Sequence, residues 1–146
     1  MHTQQRQVHQ TESVMSPDGR QVEIDAEMVD LVKALWVVGL STVACCQNVG
    51  DVYCDADSGV RLPTAELRRR GDFYRGFAYL CMPEVDMQIL LGTAEPLRGP
   101  DWTAVISLEE TGRCENAVLH FPSARINDLT RVFAVPGARR LGSPTP

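Results

Sequence analysis

The chain has 146 residues, 44% of them hydrophobic and 23% charged, with a formal net charge of −5 and a pI near 5.1. That length suits one domain with a proper hydrophobic core. The acidic balance argues against broad affinity for nucleic acid or anionic membrane, since a polyanion is repelled at long range. No apolar run is long enough to span a bilayer, and the start Met1-His2-Thr3-Gln4-Gln5 lacks the basic and apolar segments of a secretory signal. The cytosol is the expected compartment. Five cysteines (Cys45, Cys46, Cys54, Cys81, Cys114) form an odd, unpaired set, which predicts reduced thiols rather than a disulfide framework.

Residues 1–19 are rich in Gln, Ser and Thr and carry few large apolar side chains, so they read as a flexible segment that includes His2 and His9. Pro17-Asp18-Gly19 signals a turn, and Val22 and Ile24 alternate with polar residues as in a short edge strand. Asp25 is placed to cap a helix. Met28, Val29, Leu31, Val32, Leu35 and Trp36 then make one apolar helical stripe, which Gly39 ends in a left-handed conformation. Leu40 to Cys46 reads as a buried strand, and Gln47 to Gly59 as a loop with a short strand at Val52-Tyr53-Cys54.

Pro63 and Gly71 bracket a short helix over Leu62 to Arg70. A second strand is expected over Phe73 to Cys81, then a helix opened by Pro83 and closed by Gly92. Trp102 to Leu108 and Cys114 to Phe121 form a hairpin around Glu109-Glu110. Ser123 caps a last helix whose Ile126, Leu129, Val132 and Phe133 face the core. The expected architecture is a single α+β domain over residues 20–136, a mixed sheet with about three helices packed on it, followed by a tail at 137–146.

The chemistry converges on the end of the 40–46 strand. Ligands of open sheets gather beyond strand ends, so Cys46, Gln47, Asn48 and Asp51 are the candidate ligand-binding residues. Neighbouring strand residues point to opposite faces; one of Cys45 and Cys46 therefore faces the core. Three readings stay open. The loop binds a small polar ligand or anion through Gln47, Asn48 and backbone N–H groups. Alternatively, Cys46 is a nucleophile with His120 as its base. In the third, Cys46 and Cys54, with Cys45 or His120, hold zinc, although the spacing matches no standard pairing. The plain alternative is that the thiols are buried apolar residues and that His120 is a hydrogen-bonded strand residue. No metal site and no particular cofactor are expected.

Asp51, Asp55, Asp57 and Gly59 imitate a calcium loop, but with Gly59 at the sixth position the first and third fall on Cys54 and Ala56. Arg68, Arg69 and Arg70, beside Phe73 and Tyr74, have the types needed to grip phosphate and stack a base. A solvated helix face accounts for them more simply. No Walker loop, GxGxxG, GxSxG or HExxH is present.

The run Leu31 to Gln47, a helix, then Gly39-Leu40-Ser41-Thr42 and a strand ending Cys45-Cys46-Gln47, resembles a segment of small uncharacterised bacterial and phage proteins. Ala117-Val118-Leu119-His120-Phe121-Pro122 before a helix is similar to the same group. The first run is also similar to the Ser-Cys-Ser-Gly segment of the wybutosine-synthesis tRNA methyltransferase family. It departs from that pattern at Cys45, where serine is usual, and at Asn48, where glycine stands. The resemblance implies the helix-turn-strand unit and a phage or bacterial setting. The functional expectation is a small binding or interaction protein, with a cysteine-dependent or nucleic-acid-modifying enzyme using Cys46 as the alternative. Self-association through an apolar sheet face is a third.

Overall fold

A computed structural model describes residues 9–54, 62–108 and 114–134 of the chain. The expectations for the 1–8 segment, the calcium-like Asp55, Asp57 and Gly59, the Glu109-Glu110 hairpin tip, the side chain of Cys54 and the 137–146 tail lie outside those residues.

The first two strands, β1 (Thr11–Met15) and β2 (Gln21–Asp25), pair antiparallel as a separate hairpin. Gly19 supplies the positive φ (85°) at its turn. The strand over Thr11–Met15 stands where a flexible segment was expected. Val14 tucks into the core opposite Val22, and β2 supplies the backbone pairing that a polar strand cannot find alone.

A 3-10 turn (Ala26–Met28) leads into α1 (Val29–Val37), whose Val29, Leu31, Val32, Ala34 and Leu35 are buried. The helix ends as expected at Gly39, with φ of 91°. The Gly39 N–H donates to Trp36 O and the Leu40 N–H to Leu35 O, each at 3.0 Å, the two bonds of a Schellman close. Asp25 precedes the turn, but its side chain makes no cap bond; its carboxylate is used elsewhere.

The second sheet has the order β3-β4-β6-β5, formed by β3 (Ala44–Cys46), β4 (Phe77–Pro83), β5 (Thr103–Leu108) and β6 (Cys114–Pro122). Every pairing is antiparallel, so the sheet is not mixed. The strand expected over 40–46 is only its last three residues; Leu40 to Val43 form the connection, with Val43 N–H reaching Cys81 O at 2.8 Å. Val52-Tyr53-Cys54 is helical within α2 (Val49–Cys54) rather than a strand. The helix α3 (Thr64–Tyr74) runs on through Gly71 and takes up Phe73 and Tyr74, which were expected in a strand.

Alternation along β4 and β6 puts Ala78, Leu80, Met82, Ala117, Leu119 and Phe121 on one buried face. That face is covered by α1, by α4 (Glu84–Thr93) through Met87 and Leu90, and by α5 (Ile126–Ala134) through Ile126, Leu129 and Phe133. Three helices on one sheet face match the expected α+β domain. The helices α2 and α3 lie on the opposite face, where the ring centres of Tyr74 and His120 are 4.9 Å apart. Among the described residues no helix is long and apolar enough to cross a membrane.

Candidate functional site

The strand period divides the two adjacent thiols. Cys45 pairs with Leu80 and packs against the core, whereas Cys46 pairs with Tyr79 and faces the other side. Cys45, Cys46 and Cys81 are free thiols. Across the outer face, Cys46, Tyr79, His120 and Thr103 stand in one cross-strand row. Cys46 and His120 are therefore two strands apart, about 10 Å at ordinary strand spacing, with Tyr79 between them. His120 belongs to an aromatic file, 4.9 Å from Tyr74 and 5.5 Å from Tyr79 between ring centres. Burial lowers the pKa of its imidazole.

The histidine that does reach Cys46 is His9, just ahead of β1. Its Nδ1 lies 3.8 Å from Cys46 Sγ and 3.0 Å from Asp25 Oδ2, and its Nε2 lies 3.0 Å from Asp51 Oδ2. The ring is only 8% exposed, against 15% for Asp25 and 52% for Asp51. Four segments distant in sequence thus meet around one imidazole. The hairpin brings His9 next to Asp25, since Ala26 N–H donates to Gln10 O at 2.8 Å. Cys46 ends β3, and Asp51 sits in the first turn of α2.

Gln47 and Asn48 serve as struts for this junction. The Gln47 N–H donates to Asp25 Oδ2 at 2.9 Å, and its side-chain oxygen accepts from Glu27 N–H at 3.1 Å. Gln47 O accepts the Ser123 hydroxyl at 2.6 Å. Asn48 Oδ1 accepts from Gly76 N–H at 3.2 Å. The side-chain oxygens of Gln47 and Asn48 are thus engaged within the chain, and Cys46 and Asp51 are the two candidates that the fold brings to one point. Asp25 and His9 are the members that sequence reasoning missed. Asp25 has the place of a helix cap and His9 that of a tail residue, and the polar run Thr11 to Met15 carries no alternation that marks it as a strand.

Burial raises the Cys46 pKa to about 12, although the Asn48 backbone N–H works against it, and the negative charge of Asp25 adds to the rise. Cys45 is likewise held up to about 12, first by burial and then by Asp25. His9, Asp25 and Cys46 each offer one donor atom, and all three atoms lie within 4.8 Å of one another. Beside this cluster a groove of about 740 Å³ runs between β2 and residues 40–45, with Val22, Ile24, Trp36 and Val43 in its walls and Asp25 and Cys45 at its end.

The arginines lie apart. Arg69 and Arg70 both pair with Glu66, and Arg70 sits 6.0 Å above the Tyr53 ring. Glu66 is held down to about 2 by these two hydrogen bonds, so part of the positive charge expected to face phosphate is neutralised on the helix itself.

No family model matches this chain, and no curated protein or solved structure matches it.

Proposed function

We propose that the protein is a small ligand-binding protein whose site is the junction of β1, β2, β3 and α2, and that its ligand is cationic. The observation that carries this reading is the pair of carboxylates on the two nitrogens of His9, with the Cys46 sulfur beside them. Among the described residues, the ion pairs of Asp25 and Asp51 go to His9 alone. Among those residues, electron-pair donors therefore converge without a lysine or arginine to balance them, which favours a positive guest over an anion. A thermal-shift series with divalent metals, primary amines and guanidinium compounds tests it. At about a hundredfold excess over Kd, binding adds about 2.7 kcal/mol; a real ligand loses most of that in Asp25→Asn. If no cation stabilises the protein, the reading fails.

A second reading rests on the order Cys46, His9, Asp51, which is that of a nucleophile, a base and an orienting carboxylate. Burial and Asp25 oppose a thiolate there. Iodoacetamide labelling at neutral pH separates the two: the ligand-binding reading expects Cys46 to react more slowly than a model thiol, and the enzyme reading expects faster reaction.

A further inference from the structure

We infer that the cation is a zinc-class divalent metal ion, held by His9 Nδ1, Asp25 Oδ2 and Cys46 Sγ, with a fourth position that no other described residue fills. The inference rests on the cationic-ligand reading above and gives that ligand its chemistry.

The geometry comes first. Zinc takes nitrogen and carboxylate oxygen at about 2.0–2.2 Å and thiolate at about 2.3 Å, nearly tetrahedral, which separates the donor atoms by about 3.3–3.6 Å. Here Nδ1 stands 3.0 Å from Asp25 Oδ2 and 3.8 Å from Cys46 Sγ, with all three donors within 4.8 Å. The two distances at Nδ1 need shifts of only a few tenths of an ångström, and Asp25 Oδ2 and Cys46 Sγ, within 4.8 Å, must close by up to about an ångström to hold the ion.

The surroundings make a stronger point. Ligating histidines almost always donate their other ring N–H to a carboxylate or carbonyl, and ligating carboxylates are themselves hydrogen-bonded. Both supports are already in place. Nε2 is 3.0 Å from Asp51 Oδ2, and Asp25 Oδ2 accepts the Gln47 N–H at 2.9 Å. In the tautomer that donates Nε2–H to Asp51, Nδ1 carries its lone pair on the side of Asp25 and Cys46, where a bound metal would accept it. Gln47 is braced in turn by Glu27 N–H and the Ser123 hydroxyl, so the carboxylate's partner is fixed from two other elements.

The donor set also selects among metals. One sulfur, one imidazole nitrogen and one carboxylate oxygen favour zinc and its transition-metal neighbours. Calcium and magnesium take oxygen ligands and gain little from a thiol. Binding is written M²⁺ + Cys46–SH → M²⁺–S⁻–Cys46 + H⁺, the proton passing to solvent.

The experiment is titration of chelator-treated, reduced full-length protein with cobalt(II) and zinc(II). The expected result is one equivalent of cobalt bound, with a near-ultraviolet thiolate-to-metal charge-transfer band that zinc displaces. Cys46→Ser abolishes the band, and Cys45→Ala keeps it, since that side chain faces the core. Asp51 acts as a positioning residue: Asp51→Asn weakens the metal about 10–100-fold while leaving the band's shape unchanged. Cobalt bound without the band, or with the band surviving Cys46→Ser, overturns the assignment, and the first of these is read on the unaltered protein. If no metal binds but an amine or guanidinium compound stabilises the wild type and not Asp25→Asn, the metal assignment falls while the cation reading stands. If nothing stabilises, both fall.

Discussion

At the scale of single residues, His9 ties three separate stretches of chain through its two ring nitrogens, and its removal takes one of the partners of the Asp25 carboxylate away while the Gln47 N–H stays. Hydrogen bonds to charged groups contribute about 1.5–3 kcal/mol each, and exposed Asp51 falls below that range. His9→Ala is therefore expected to cost about 1–3 kcal/mol, read as a lower urea midpoint at unchanged slope; a midpoint equal to wild type removes the clamp. His120 makes a different prediction. Its folded imidazole has a lowered pKa because it is buried, so the unfolded chain takes the proton first as pH falls. Stability from this residue is complete above the unfolded value near 6.5 and declines below it. His120→Phe, which preserves stacking on Tyr74, should flatten the acid side of a melting-temperature profile between about pH 7 and about pH 5.

Among the elements, α2 is the least self-sufficient. Six residues cannot hold a helix by propensity, so its position depends on α3. Gly50 permits the contact: a Cβ there would lie 2.6 Å from Arg75 Cα and 2.7 Å from both Arg75 N and Gly71 O, all backbone atoms. Gly50→Ala must push α2 away, at a cost of about 1–3 kcal/mol as for other overpacked sites. Because Asp51 follows directly, the same change should break its contact with His9. A chemical-shift change at His9 Nε2 in Gly50→Ala, absent in Gly92→Ala, would show that coupling, since Gly92 has open space around its Cβ position. The β1–β2 hairpin is the other dependent element. It belongs to a separate sheet, and Val14 and Ile24 anchor it to the core.

For the molecule as a whole, stability is concentrated on one sheet face. Leu80, Leu119 and Phe121 are fully buried there between β4, β6 and the three covering helices. Leu119→Ala is expected to cost about 2–5 kcal/mol by cavity formation. Val105→Ala on the edge strand β5, 59% exposed, should stay within about 0.5 kcal/mol. Comparable losses at the two positions in denaturant unfolding would refute this division. The apolar sheet face suggested for self-association is internal, covered by α1, α4 and α5. The His9 cluster lies away from it, at the rim where the edge strand β3 meets the hairpin and α2, so the binding proposed there and core packing fall to largely separate parts of the fold.

By itself the sequence determined the local grammar. The stripe from Met28 to Trp36 demanded a helix, Gly39 its left-handed close, and the apolar runs at 77–81 and 117–121 strands, because these patterns are properties of neighbouring residues. It likewise implied that Cys45 and Cys46 must part company, since strand geometry allows nothing else. Which histidine meets Cys46 was a matter for the tertiary structure. His120 stands in the same sheet but two strands away, and His9, 37 positions upstream of Cys46, arrives through a hairpin whose strands are polar and weakly patterned. Asp25 carries no mark that separates a helix cap from a carboxylate turned toward another loop, and Asp51 none that separates a solvated acid from the partner of an imidazole. Long-range convergence of single polar groups leaves no periodic trace in a chain; only the packing of β1, β2, β3 and α2 around one ring decides it.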